Sequence, residues 1–102
     1  MQWPATWAAL DENDECTAVA KKVLLREVGP GHLLYGVPVQ AIGRNFAADD
    51  VLYRLLDGSG RVADVHLTWT RGGPEQPPYP HTLLYDTVEA WLAAQPEWEW
   101  ES

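Results

Sequence analysis

The chain has 102 residues, 46% of them apolar, and a formal charge of −8 at pH 7. That length suits one domain, and that apolar share excludes wholesale disorder. The longest strictly apolar run is five residues, too short for a membrane helix, and a single cysteine excludes an internal disulfide or a cysteine-cluster zinc site. No Lys or Arg precedes Lys21, so no charged start of a secretory signal is read, and a cytoplasmic protein is expected.

The charge is unevenly placed. Residues 1–29 carry −2, residues 30–72 are neutral, and residues 73–102 carry −6 with no base at all. Seven thinly spread bases argue against nucleic acid and against anionic membrane surfaces, because both need phosphate neutralisation. An acidic lobe attracts a basic protein partner, although acidity also serves plain solubility.

In chain order, Trp3-Pro4 and Trp7 lead into the acidic run Asp11-Glu12-Asn13-Asp14-Glu15. Cys16, Val19, Ala20, Val23, Leu24 and Val28 then recur at helical spacing, with Lys21, Lys22 and Arg26 off that stripe. Asp11 or Asn13 is a suitable N-cap, Pro4 and Thr6 allow an earlier start, and Gly29 is the expected C′ terminator before Pro30-Gly31. Strands are expected over 37–45, 51–56 and 61–70. Asp57-Gly58-Ser59-Gly60 is the hairpin turn between the last two, and residues 46–50 form a short link between the first two. The Gly- and Pro-rich stretch 72–80 reads as a loop. A second helix is expected over 86–94, opened by an Asp86/Glu89 capping box and stopped by Pro96. The tail Glu97-Trp98-Glu99-Trp100-Glu101 alternates ring and charge, which suits a short docked strand or a partner-binding tail.

The expected fold is a two-layer α+β domain ordered α-β-β-β-α, a three-stranded antiparallel meander with both helices on one face. The domain spans 1–102, with 1–10 and 96–102 as peripheral segments. Period-two counting puts Ala63, Val65, Leu67 and Trp69 in the core. The outward face is then Gln40, Ile42, Arg44, Leu52, Arg54, Leu56, Asp64, His66 and Thr68, with the sets on the first two strands open to exchange.

The segments Glu27-Val28-Gly29-Pro30-Gly31-His32, Asp49-Asp50-Val51-Leu52-Tyr53, Val65-His66-Leu67-Thr68-Trp69 and Pro80-His81-Thr82-Leu83-Leu84-Tyr85-Asp86 make the sequence familiar. Over residues 27–91 it resembles a group of short bacterial proteins of unassigned function. The resemblance implies a bacterial origin and a self-standing domain, and it carries over no activity, cofactor or catalytic residue.

His32, His66 and His81 lack the close spacing of a local zinc site and converge only if the fold brings them together, so no metal is expected. Asp64 and His66, two apart on one strand, form a weak acid–base pair, with His81 as a further weak catalytic candidate and no evident nucleophile beyond a poor one, Thr68. Cys16 reads as a buried hydrophobe on its helix stripe. Residues 11–15 fail as a calcium loop, because Cys16 and Lys22 stand where the loop needs Gly and Glu. Gly58-Ser59-Gly60 joins two strands and so is a turn, not a phosphate cradle. Trp3, Trp7, Trp98 and Trp100 either fold back or anchor an interface.

Two functions follow. The first is a non-catalytic protein-binding module without cofactor, in one form a neutraliser of a basic enzyme, binding through Arg44, Leu52, Arg54, His66, Thr68, Trp98 and Trp100. The alternative is a small-molecule-binding or hydrolytic enzyme using His66, Asp64 and His81, with Tyr79 and Arg54 beside them. An enzyme needs a concave pocket where the histidines meet, and a binding module needs an exposed apolar patch or groove.

Overall fold

A computed structural model describes residues 3–4, 6–11, 13–67 and 80–95. It is an α+β fold: β1 (Trp7–Ala9), α1 (Glu15–Glu27), β2 (Val39–Asn45), β3 (Asp50–Leu55), β4 (Val62–His66), β5 (His81–Tyr85) and α2 (Val88–Ala93). The strands form one antiparallel sheet in sequence order, β1-β2-β3-β4-β5. The three expected strands are its middle three. Residues 7–9, expected to be peripheral, add an edge strand beside the C-terminal half of β2. Residues 81–85, between Pro80 and Asp86, add the other edge.

The helix ends differ from expectation by short side-chain contacts. Asp14 caps α1 by accepting from the Cys16 amide at 2.8 Å, because its carboxylate meets the amides the first turn leaves unpaired. The start at Glu15 turns the buried stripe to Thr17, Ala20, Val23, Leu24 and Glu27. Cys16 and Val19 are therefore exposed, and Cys16 is not the buried hydrophobe its spacing suggested. Past α1, Val28 is extended, and the left-handed position is taken by Gly31 (φ 96°) rather than Gly29. Pro30 and Gly31 make a tight turn closed by His32 N donating to Gly29 O at 3.1 Å. Thr87, not Asp86, caps α2, its hydroxyl accepting from the Ala90 amide at 3.0 Å.

Two cores form on opposite faces of the sheet. Ala20, Val23, Leu24, Val28 and Leu34 pack on Val39, Ala41, Val51, Tyr53, Leu55, Ala63, Val65 and Leu67. On the reverse face Trp91 of α2 packs with Trp7, Leu52 and Val62, flanked by Trp3, Ile42, Tyr85, Val88 and Leu92. The helices thus lie on opposite faces, not on one. Leu52, Ile42 and Val62 make the reverse face too apolar to stand in water, and the chain returns after β5 to cover it. Tyr53, in the first core, donates from its hydroxyl to Ala20 O at 2.7 Å. Burial, helped by the nearby Glu27 charge, pushes its phenol well above the usual range.

A register shift between Ala41 and Gly43 sets the second core. Beyond this bulge the alternation of β2 reverses, so Gly43 pairs with Leu52 and faces Trp3, while Arg44 pairs with Val51 and faces the α1 side. The Trp3 ring occupies the space that a Cβ on residue 43 would need, so only glycine fits there. The rings of Trp3, Trp7 and Trp91 meet with centroids 4.8–6.2 Å apart, and Trp91 Nε1 donates to Asp64 Oδ2 at 2.9 Å. Trp69, expected in the core, lies outside the described residues, as do Thr68, Tyr79, Trp98 and Trp100.

The β3–β4 turn matches its reading. Gly58 and Gly60 sit at φ 83° and 77°, where a side chain would strain the backbone. Hydrogen bonds from Ser59, then the Arg61 guanidinium, hold the Asp57 carboxyl down at about 2. A lowered folded-state value stabilises above the unfolded value of 3.8 and loses that contribution as pH falls toward about 2. The urea midpoints of wild type and Asp57→Asn should differ by a constant amount above about pH 5 and converge only as pH falls to about 2 and below. Trp91→Ala should cost roughly 3–5 kcal/mol in urea unfolding, because it empties the second core. Trp91→Phe, which keeps a ring but loses the indole donor, should cost less.

Candidate functional site

The hydrogen-bond alternation of the sheet decides which side chains meet. Leu67 N donates to Asp49 O and Leu55 N to Arg61 O, so odd-numbered β4 residues bond to β3 and even-numbered ones to β5. Asp50 and His66 are then a non-hydrogen-bonded pair, the closer kind, and His66 Nδ1 donates to Asp50 Oδ1 at 2.6 Å. His66 stands directly opposite His81 on β5. Asp50, His66 and His81 thus form a row across three strands at one end of the α2 face. The His66 side chain is 56% exposed.

This arrangement corrects the Asp64/His66 pairing. Asp64 accepts from Trp91 Nε1, and burial, helped by the Asp64 charge, raises the Tyr85 phenol. Residues two apart on a strand share a face but stand farther apart than direct cross-strand partners. The Asp50 carboxylate therefore reaches His66 first. Spacing along the chain could not show this, because residues 50 and 66 meet only through the register. The Asp50–His66 pair occupies Nδ1 of the imidazole, which leaves Nε2 as the second ring nitrogen of a side chain that is more than half exposed. Cys16 is on α1, across the sheet from it.

His32 plays a different part. It is buried, its Nδ1 accepts from the Leu34 amide at 3.0 Å, and its Nε2 donates to Pro80 O at 2.9 Å. Thr82 Oγ1 donates to the same carbonyl. His32 clasps the loop after α1 to the start of β5, and both ring nitrogens are used in doing so. Among the described residues no three His, Cys, Asp or Glu side chains gather to hold a metal.

A concavity lies elsewhere. An open groove of about 390 Å³ runs between α1 and the N-terminal half of β2, lined by Thr17, Ala18, Lys21, Val39, Gln40, Ala41 and Leu56. Leu56 N donates to Pro38 O, so Gln40 bonds to Arg54 on β3 while the backbone groups of Val39 and Ala41 turn away from β3. β1 pairs with β2 over Gly43–Asn45, followed by Leu10 N donating to Ile42 O, and among the described residues no strand other than β3 pairs with Val39–Ala41. Val39 and Ala41 are nonetheless buried, 1% and 0% exposed, so the floor of the groove is a covered strand segment and not an open edge.

The expected binding residues do not form one surface. Leu52 has no exposed area and belongs to the second core, so it cannot meet a partner. Arg44 crosses to the α1 side at the bulge, and its guanidinium lies 5.2 Å from the exposed Phe46 ring. Arg54 is exposed on the reverse face, between Gln40 and Val62, and His66 is at the far end of that face.

Comparison with protein families, curated proteins and solved structures finds no match to this chain. No helix among the described residues is long and apolar enough to cross a membrane.

The two histidine roles should separate in unfolding experiments. His32→Ala strands the buried Leu34 amide, worth about 1–3 kcal/mol before lost packing is counted. His66→Ala removes a surface pair worth roughly 0.2–1 kcal/mol. A large urea-midpoint drop for the first and a small one for the second is the expected result, and equal drops would contradict these assignments.

Proposed function

We propose that the chain is a non-catalytic protein-binding module, bacterial and cytoplasmic, that takes an extended segment of a basic partner protein. The observation that carries this reading is the open groove between α1 and the N-terminal half of β2. An extended segment laid along it places its alternate side chains against the groove lining. Val39, Ala41, Ala18 and Leu56 give the groove apolar lining, and Lys21 places one cation beside it. The net charge of −8 attracts a basic partner over distance, and that steering weakens as salt rises. A neutraliser of a basic enzyme is one form of this activity.

The enzyme alternative has less support. Its histidines are not in the groove, its Asp64 is bonded to Trp91, and the groove lining holds no His, Asp, Glu or Cys.

Peptides selected from a random display library on the isolated protein test the proposal. The expected binders are rich in Lys and Arg around alternating apolar residues, and weaken at least tenfold between low and high salt. They should shift the amide resonances of Val39–Ala41 and of residues 17–21. Ala18→Trp, which fills the groove from an exposed helix position, should abolish binding without lowering the melting temperature. Binders that shift only residues near His66 and His81 would contradict the proposal.

A further inference from the structure

The row Asp50, His66 and His81 has no part in the groove, and its chemistry is specific. We propose that His66 and His81 together chelate one borderline divalent cation, Zn²⁺, Ni²⁺ or Cu²⁺, on the exposed sheet surface, with Asp50 orienting His66.

The argument starts from register. His66 and His81 are Cα partners on adjacent antiparallel strands, on the same face, and both are exposed. Opposed residues have Cβ atoms roughly 5 Å apart. Two nitrogens bound to one tetrahedral zinc ion at about 2.0–2.1 Å are roughly 3.3 Å from each other. Two imidazoles that start about 5 Å apart therefore reach one ion within side-chain length, and the sheet fixes both anchors.

Asp50 supplies the second part. Its carboxylate accepts a hydrogen bond from His66 Nδ1 at 2.6 Å, so in the neutral ring Nε2 is the nitrogen with a lone pair for a metal ion. A carboxylate behind a ligating imidazole is the usual outer partner in histidine–metal sites, where it orients the ring and raises its basicity. Imidazole pairs select zinc, nickel and copper over magnesium and calcium, which prefer oxygen. His32 is no competitor, because both its nitrogens are bonded within the fold. Among the described residues no third ligating side chain joins the pair, so the other coordination positions belong to water or to an incoming ligand. The site is accordingly an open, exchangeable one and not a structural zinc site.

Titration calorimetry and native mass spectrometry with zinc, nickel and magnesium chlorides alone, on the full chain, test this. The expected result is one equivalent of zinc or nickel and no magnesium. His66→Ala and His81→Ala should each abolish stoichiometric binding, and Asp50→Asn should weaken it about 10–100-fold. The ring resonances of His66 and His81 should respond to zinc while those of His32 stay fixed. Unchanged circular dichroism and a melting temperature within several degrees of wild type confirm that each variant is folded. No stoichiometric binding to wild type overturns the proposal. So does binding that survives His81→Ala, or binding that is indifferent to Asp50→Asn.

Discussion

Trp91 closes the face of the sheet that α1 leaves bare, and the rest of the fold depends on that closure. Its ring rests on Leu52 and Val62, meets Trp3 and Trp7, and bonds Asp64 through its indole nitrogen. A six-residue helix has little propensity to stand alone, so α2 exists because this contact holds it down. The contact requires the bulge in β2. Without the reversal at Ala41/Gly43, a side chain would project from the position under which Trp3 lies, and Arg44 would point into the indole cluster.

Closure of both faces leaves function to the margins of the sheet. On the α1 side the helix and the N-terminal half of β2 leave an open groove between them. At the opposite end of the reverse face, register lines up Asp50, His66 and His81 beyond the reach of α2. The two places differ in chemistry. The groove offers apolar lining, which suits a peptide. The histidine row offers two imidazoles and a carboxylate, which suit a cation. A partner drawn by negative charge and seated in the groove leaves the histidine row uncovered.

Local patterns were enough to place α1, the three middle strands and the Asp57–Gly60 turn, because their signals lie within a few residues: helical spacing from Ala20 to Val28, period-two alternation, and glycines at positive φ. Asp14 over Asp11 or Asn13, and Thr87 over Asp86, are choices among adjacent caps of similar strength. β1 is three residues long, and β5 sits between proline-rich sequence and a helix start, so neither has length enough to show its period. The placement of α2 on the reverse face could not be read from its stripe, since Val88, Trp91 and Leu92 suit either face. Leu52 went to the outward set because a leucine on a lightly covered face and one under a tryptophan look alike in sequence. Asp50 was missed as the partner of His66 because the two are joined by pairing across strands, whereas the chosen Asp64 was merely near in the chain.

Hydrogen exchange with and without a selected basic peptide tests the central claim, that a partner seats in the groove between α1 and β2. The bound peptide should slow exchange at the Lys21, Gln40 and Leu56 amides, which line the groove, and leave those of His66 and His81 unchanged. Slowing confined to the strand ends around His66 and His81 would contradict the account.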